Sequence, residues 1–296
     1  MISHILTTSN LKIPEAKIAL LERLVADLCA VSGIGAIVLG GSYARGTQTE
    51  TSDLDIGLYY SEAAPFAIEE IRRVARAYAV VDEPTVTGFY EWGAWVNGGA
   101  WIKTAAGKVD FLYRNLEHVQ RTLDEAQQGI HRHDYGQQPA YGFHSVIYLA
   151  ETHCCVPLFD PQGWISNLKH QVESYPARLR EKIIGDSLWS AEFTLLHARS
   201  FSEKGDVYNT VGCLTRAASN LTQALFALNG VYFMSDKKVL EIITAFALKP
   251  ENYAQRLTSI LAHPGSNAAE LSESTQSLHE LWQAVVSLCE GYKAQW

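Results

Sequence analysis

The segment that most constrains this chain runs from residue 36 to residue 60. Ala36-Ile37-Val38-Leu39 is a short apolar run bounded by glycines, which reads as a buried β-strand. It ends in Gly40-Gly41-Ser42-Tyr43-Ala44-Arg45-Gly46. Two consecutive glycines let a backbone turn sharply and approach a ligand closely. Ser42 falls where a helix should begin, and the free N–H groups of a helix N-terminus favour bound phosphate. No G-K-[ST] follows, so this is not a Walker loop, and no third glycine stands at the Rossmann offset. Ser52-Asp53-Leu54-Asp55 then opens a second strand, 53–60. Its two aspartates are two residues apart, so both side chains leave the same face. Paired carboxylates repel, and a divalent cation relieves the repulsion. Hard oxygen ligands suit magnesium, which combines a few carboxylates with substrate phosphates.

Around this segment the first half mixes periods. Residues 13–29 have helical spacing, with Pro14 suited to the first turn. Residues 65–78 read as a second helix. Residues 92–102 and 108–113 read as strands rich in aromatic and β-branched residues, joined by a turn at Ala105-Ala106-Gly107. Asp110 is an acid inside the apolar run Val109-Asp110-Phe111-Leu112-Tyr113, where an unpaired charge would be costly. It is the candidate for a third carboxylate beside Asp53 and Asp55. Phe89, Tyr90, Trp92, Trp95 and Trp101 read first as core, and some of them as the lining of a cleft mouth. Arg45 either holds a phosphate or pairs with an acid of its own loop. Glu91, Glu151 and Glu192 are possible general bases besides Asp110.

Taken in order, Gly40-Gly41-Ser42, Arg45-Gly46, Ser52-Asp53, Asp55 and the later Val109-Asp110-Phe111 resemble the signature of the DNA polymerase β-like nucleotidyltransferase superfamily. The resemblance covers about residues 15–125. Residues 226–233, followed by Asp236-Lys237, are similar to the helical domain of the aminoglycoside nucleotidyltransferase branch. The fold this implies is α+β: a mixed sheet with flanking helices, then an all-α helical bundle. The activity it implies is magnesium-dependent transfer of a nucleotide, with ATP as donor and pyrophosphate as leaving group. Asp53, Asp55 and Asp110 would bind two magnesium ions, and Asp110 could instead take a proton from the acceptor. Gly40, Gly41, Ser42 and Arg45 would hold the phosphates. Lys237, expected in the first turn of a helix capped by Ser235 or Asp236, would reach the triphosphate from an interdomain cleft.

The acceptor stays open at this level. A small hydroxylated molecule of aminoglycoside type is the first expectation, and a protein or a transfer RNA end, as in toxin–antitoxin systems, is the rival. From another class comes a nucleotide-binding or partner-binding module without catalysis. Inactive members of the superfamily usually lose an acidic position, and here all three are present.

Charge bears on the partners. There are 24 Lys and Arg against 32 Asp and Glu, a formal net charge of -8. That balance disfavours duplex DNA as a partner, is mildly unfavourable for RNA and suits a cationic acceptor. Five scattered cysteines with no C-x-x-C suggest a reducing compartment and no zinc site. His131-Arg132-His133 lacks metal-ligand spacing. No leader is recognisable in residues 1–14 and no run is long enough for a membrane span, so the expectation is a cytoplasmic protein. Beyond Leu116 the periodicity is helical nearly throughout, with long amphipathic candidates at 176–204, 207–229 and 268–292. The expected domains are therefore 1–130 and 131–296, with glycine, glutamine and proline clustering at 127–140.

Overall fold

The computed structural model describes residues 11–289 and 291–294, so most of the stretch 1–14 searched for a leader lies outside the described residues. The chain divides into two compact units. The first comprises residues up to Asp124 together with 133–138 and 142–174; the second comprises 125–132, 139–141 and everything from Tyr175 onward.

The first unit is built on helix α1 (Glu15–Cys29), strand β1 (Ala36–Leu39), the short helix α2 (Gly41–Arg45), β2 (Leu54–Tyr60), α3 (Ile68–Tyr78), β3 (Thr85–Val86), α4 (Gly93–Val96), β4 (Gly99–Thr104) and β5 (Gly107–Asn115). Helix α5 (Leu116–Gln127) starts directly after β5. Then come the β6–β7 pair (His133–Asp134 and Phe143–His144), α6 (Val146–Cys154), β8 (Val156–Phe159) and α7 (Trp164–Gln171). Six strands form one mixed sheet in the order β3-β4-β5-β2-β1-β8. Only β2 and β5 run parallel; the other neighbours are antiparallel.

One face of this sheet is sealed. Ile37, Leu39, Leu54, Ile56, Leu58, Val109 and Phe111 pack against Leu21, Leu24 and Leu28 of α1 and Ile71 and Val74 of α3. The helices form because these apolar residues recur every three or four positions and share a stripe. Tyr60, Phe66, Phe89 and Tyr113 make an aromatic cluster in the same core, with ring centroids 4.5–5.6 Å apart. Strand pleating sends the intervening residues, Asp55 and Asp110 among them, to the opposite face.

Two local expectations are corrected. Residues 92–102 do not form one strand: Gly93–Val96 is a helical turn, and the strand starts at Gly99. Asn97 takes a left-handed φ of 70° between them, held by bonds from its side chain to Tyr60 and from the Tyr90 backbone. The region after Leu116 is also not helical throughout, because β8 joins the main sheet beside β1. Pro157 lacks an N–H to donate, which is tolerated because β8 is the outer strand. This pairing is why residues beyond 131, read from the sequence as the start of the second domain, cluster with the first unit.

Arg114 ties α6 to the sheet. It is buried, and its guanidinium donates two hydrogen bonds of 2.8 Å to the Glu151 carboxylate and others to Val96 and Tyr113 carbonyls. Burial alone would push the guanidinium pKa down, but Glu151 more than reverses this and holds it above its ordinary value.

The second unit is helical: α8 (Ala177–Ser202), α9 (Val207–Leu228), α10 (Val239–Thr244), α11 (Tyr253–Ala262) and α12 (Ala268–Val286). Asp206 and Asn267 cap α9 and α12 through their side chains. The Trp282 indole N–H donates to Leu188 O at 3.1 Å, tying α12 to α8. No helix among the described residues is long and apolar enough to cross a membrane.

Replacing Glu151 with Gln leaves a buried guanidinium without its counter-charge. The expected loss in a urea unfolding titration is about 2–3 kcal/mol. Pairing Arg114→Met with Glu151→Leu should recover most of it, because no buried charge then remains unpaired.

Candidate functional site

The site is built by strand register. Parallel pairing of β2 with β5 sets Asp55 directly beside Asp110, and the pairing of β4 with β5 sets Trp101 on the other side of Asp110. Asp53 precedes β2 by one residue and shares the face of Asp55. Three of the sequence-predicted residues, on two segments far apart in the chain, therefore share one surface of the sheet. All three carboxylates are partly buried.

The glycine turn closes on this surface. The Gly40 N–H donates to the Asp55 carbonyl at 2.8 Å. At Gly41 a Cβ would lie 1.7 Å from Asp55 Oδ2, and the backbone has a φ of 60°. Only glycine satisfies both conditions. Helix α2 starts here as expected, with Ser42 as its second residue and Gly40 at the N-cap. Arg45 is exposed and donates to Gly41 O at 3.3 Å within its own helix.

Lys17 is the residue the sequence reading missed. It lies on α1, is only 7% exposed, and donates to the Tyr43 hydroxyl at 2.9 Å and to the Ser52 carbonyl. Its ammonium also sits 5.0 Å from the Tyr43 ring centroid. One side chain thus fixes both α2 and the backbone just before Asp53. The available signal was a lysine standing three and four residues before Leu20 and Leu21, on the apolar stripe of an amphipathic helix.

The other candidates separate. Glu151 is occupied by Arg114. Glu192 is buried in the second unit, where it accepts from the Tyr292 hydroxyl at 3.1 Å. Glu91 is exposed in the first unit. Lys237, in the second unit, is exposed in a turn and not in a helix: α10 starts at Val239, with Lys238 as a left-handed N-cap. Neither Ser235 nor Asp236 therefore caps that helix. Cys154 and Cys155 close α6 as expected, and burial pushes their thiols up to about 11 and about 12.

Beside the acids, a cavity of about 550 Å³ is lined by Asp53, Asp110, Trp101, Lys108, Asp82 and Glu83, among others. Among the described residues no three His, Cys, Asp or Glu side chains are grouped closely enough to hold a metal ion as they stand. The donor set nevertheless fits magnesium carried by a nucleotide, since that ion draws several of its ligands from phosphate and water.

Residues 21–125 match the family described as "Nucleotidyltransferase domain". This part of the chain is a nucleotidyltransferase domain of the polymerase β-like superfamily. Its residues include the whole glycine turn and all three aspartates. A second match, to a domain of unknown function (DUF4037), covers residues 146–237 and so includes the whole stretch 226–237 read as similar to the aminoglycoside branch. A crystallised nucleotidyltransferase-like protein from Exiguobacterium sibiricum 255-15 is 11% identical, over 89% of this chain and 74% of that protein, with a TM-score of 0.44. No curated protein matches the chain.

Two substitutions test how the nucleotidyltransferase site is held. Gly41→Ala should cost at least about 1 kcal/mol, through a strained φ and a clash with Asp55, read as a lower urea midpoint. Lys17→Met keeps the length of the side chain but leaves the Tyr43 hydroxyl and Ser52 carbonyl without their donor. A loss of about 1.5–3 kcal/mol is expected in the same titration.

Proposed function

We propose that the domain transfers a nucleoside monophosphate from ATP to a hydroxyl of a small, cationic, polyhydroxylated molecule, releasing pyrophosphate, with magnesium as cofactor. The observation that carries this reading is the register that sets Asp110 beside Asp55, next to a glycine turn clasped onto Asp55 itself. A phosphate cradle and a carboxylate group on one surface are what attack at a nucleotide phosphorus requires.

In this reading Gly41 and Ser42 bind the β- and γ-phosphates through backbone N–H groups and the serine hydroxyl, while Gly40, whose N–H is taken by the Asp55 carbonyl, fixes the turn. Asp53, Asp55 and Asp110 would hold two magnesium ions. Magnesium, when bound, neutralises phosphate charge and stabilises the charge that develops on the departing oxygen. Asp110 would also accept the proton of the acceptor hydroxyl, a role for which Glu151, spent on Arg114, is unsuited. Arg45, exposed at the end of the cradle helix, adds positive charge near the phosphates. Lys17 keeps the cradle and Asp53 in fixed relation, so that little reorganisation is needed when charge develops. The acidic surplus of the chain supports a cationic acceptor over RNA.

Asp53→Asn and Asp55→Asn should each lower transfer by on the order of a thousandfold, with circular dichroism unchanged. The assay is α-labelled ATP incubated with aminoglycosides, lincosamides, transfer RNA and protein, with EDTA abolishing the product. Substantial turnover in either variant at saturating magnesium refutes the metal assignment. Asp110→Asn should be nearly as severe per folded molecule. If it lowers the unfolding midpoint and keeps its turnover, Asp110 is a structural acid only.

A further inference from the structure

Resting on that reading, we infer that Trp101, backed by Trp92, is the surface on which the acceptor's ring lies, and that it sets acceptor specificity. Across the sheet four features stand in a row. Trp101 pairs with Asp110, Asp110 with Asp55, and the Asp55 carbonyl accepts from the Gly40 N–H. The acids are therefore flanked by the glycine turn on one side and an indole on the other. In an in-line displacement at phosphorus the incoming oxygen and the leaving group stand on opposite sides. With pyrophosphate leaving over the glycine turn, the hydroxyl must arrive from the side of Trp101.

Trp101 is built for contact. It is 54% exposed, although it sits on an inner strand beside partly buried acids. Trp92 stacks on it, with ring centroids 4.8 Å apart and planes at 24°, giving a broad face that cannot swing freely. Gly99 makes the stacking possible. It is two residues from Trp101 on the same strand face, and a Cβ there would come within 2.8 Å of the Trp92 ring. Neither ring belongs to the apolar core behind the sheet.

The surroundings indicate the class of ring. The cavity beside Trp101 carries four carboxylates (Asp53, Asp82, Glu83 and Asp110) and two lysines (Lys103 and Lys108); Asp82 is paired with Lys103 and Glu83 with Arg76. An indole face takes the C–H face of a saturated ring and attracts a cation held over it. A hydroxylated ring carrying an ammonium group satisfies both properties of the indole face.

The test measures two affinities by calorimetry on the full chain: the non-hydrolysable MgATP analogue with an α,β-methylene bridge, and kanamycin added to the analogue-saturated protein. Trp101→Ala should weaken kanamycin by about tenfold while leaving the analogue within about twofold. Trp101→Phe should stay within about threefold of the wild type for both, and Trp92→Ala should follow Trp101→Ala. Circular dichroism of each variant verifies folding. Equal kanamycin affinity in Trp101→Ala overturns the inference, as does an analogue that alone is weakened, which would make the indole a nucleobase platform. Absence of kanamycin binding by a wild type that binds the analogue overturns it too. Failure of the analogue itself to bind overturns instead the nucleotidyl-transfer reading beneath it.

Discussion

The parallel pairing of β2 with β5 is the constraint on which the rest of the first unit depends. It sets two carboxylates, Asp55 and Asp110, side by side on adjacent strands, an arrangement that repulsion disfavours in the free protein. A sheet keeps such a pair only if other contacts fix the register. Here they are apolar and lie on the reverse face, where Leu54, Ile56, Val109 and Phe111 lock against α1 and α3. A slip of one residue would turn those side chains toward solvent and bring the acids inside. Stability of the core and placement of the acids are therefore one property.

Much of this was legible because it is local. The strand at 36–39, the glycine turn, the start of α2 and the shared face of Asp53 and Asp55 follow from residue type and spacing over some twenty positions. The long helices α8 and α9 were equally plain from period and punctuation. Asp110 was legible as an anomaly, an acid in an apolar strand, and the family resemblance marked it as the third acid. The neighbour itself was not derivable from spacing, since parallel strands joined by a long crossover leave no local mark of their register.

What escaped was decided by tertiary contact. Val156-Pro157-Leu158-Phe159 is too short and too proline-marked to announce a strand, and only β1 makes it one. The aromatic run at 92–96 looks like a strand until Asn97 anchors a helical turn through Tyr60. Lys17 reads as an interruption of a stripe, because the groups it serves, Tyr43 and Ser52, are 26 and 35 residues away. At Lys237 a plausible capping pattern lost to a left-handed Lys238.

The pairing of β8 with β1 has a practical meaning for anyone who cuts this chain. A fragment ending at residue 130 would hold every residue of the nucleotidyltransferase signature and would look complete by motif. It would also strip β8 from β1, leaving Ala36-Ile37-Val38-Leu39 as a bare outer strand with unused N–H and C=O groups. Such an apolar, uncharged edge recruits the same edge of another molecule and grows into aggregates. The fragment would also leave Arg114 facing no carboxylate. The smallest piece that can stay monomeric therefore reaches past Phe159, well beyond the last residue that carries chemistry.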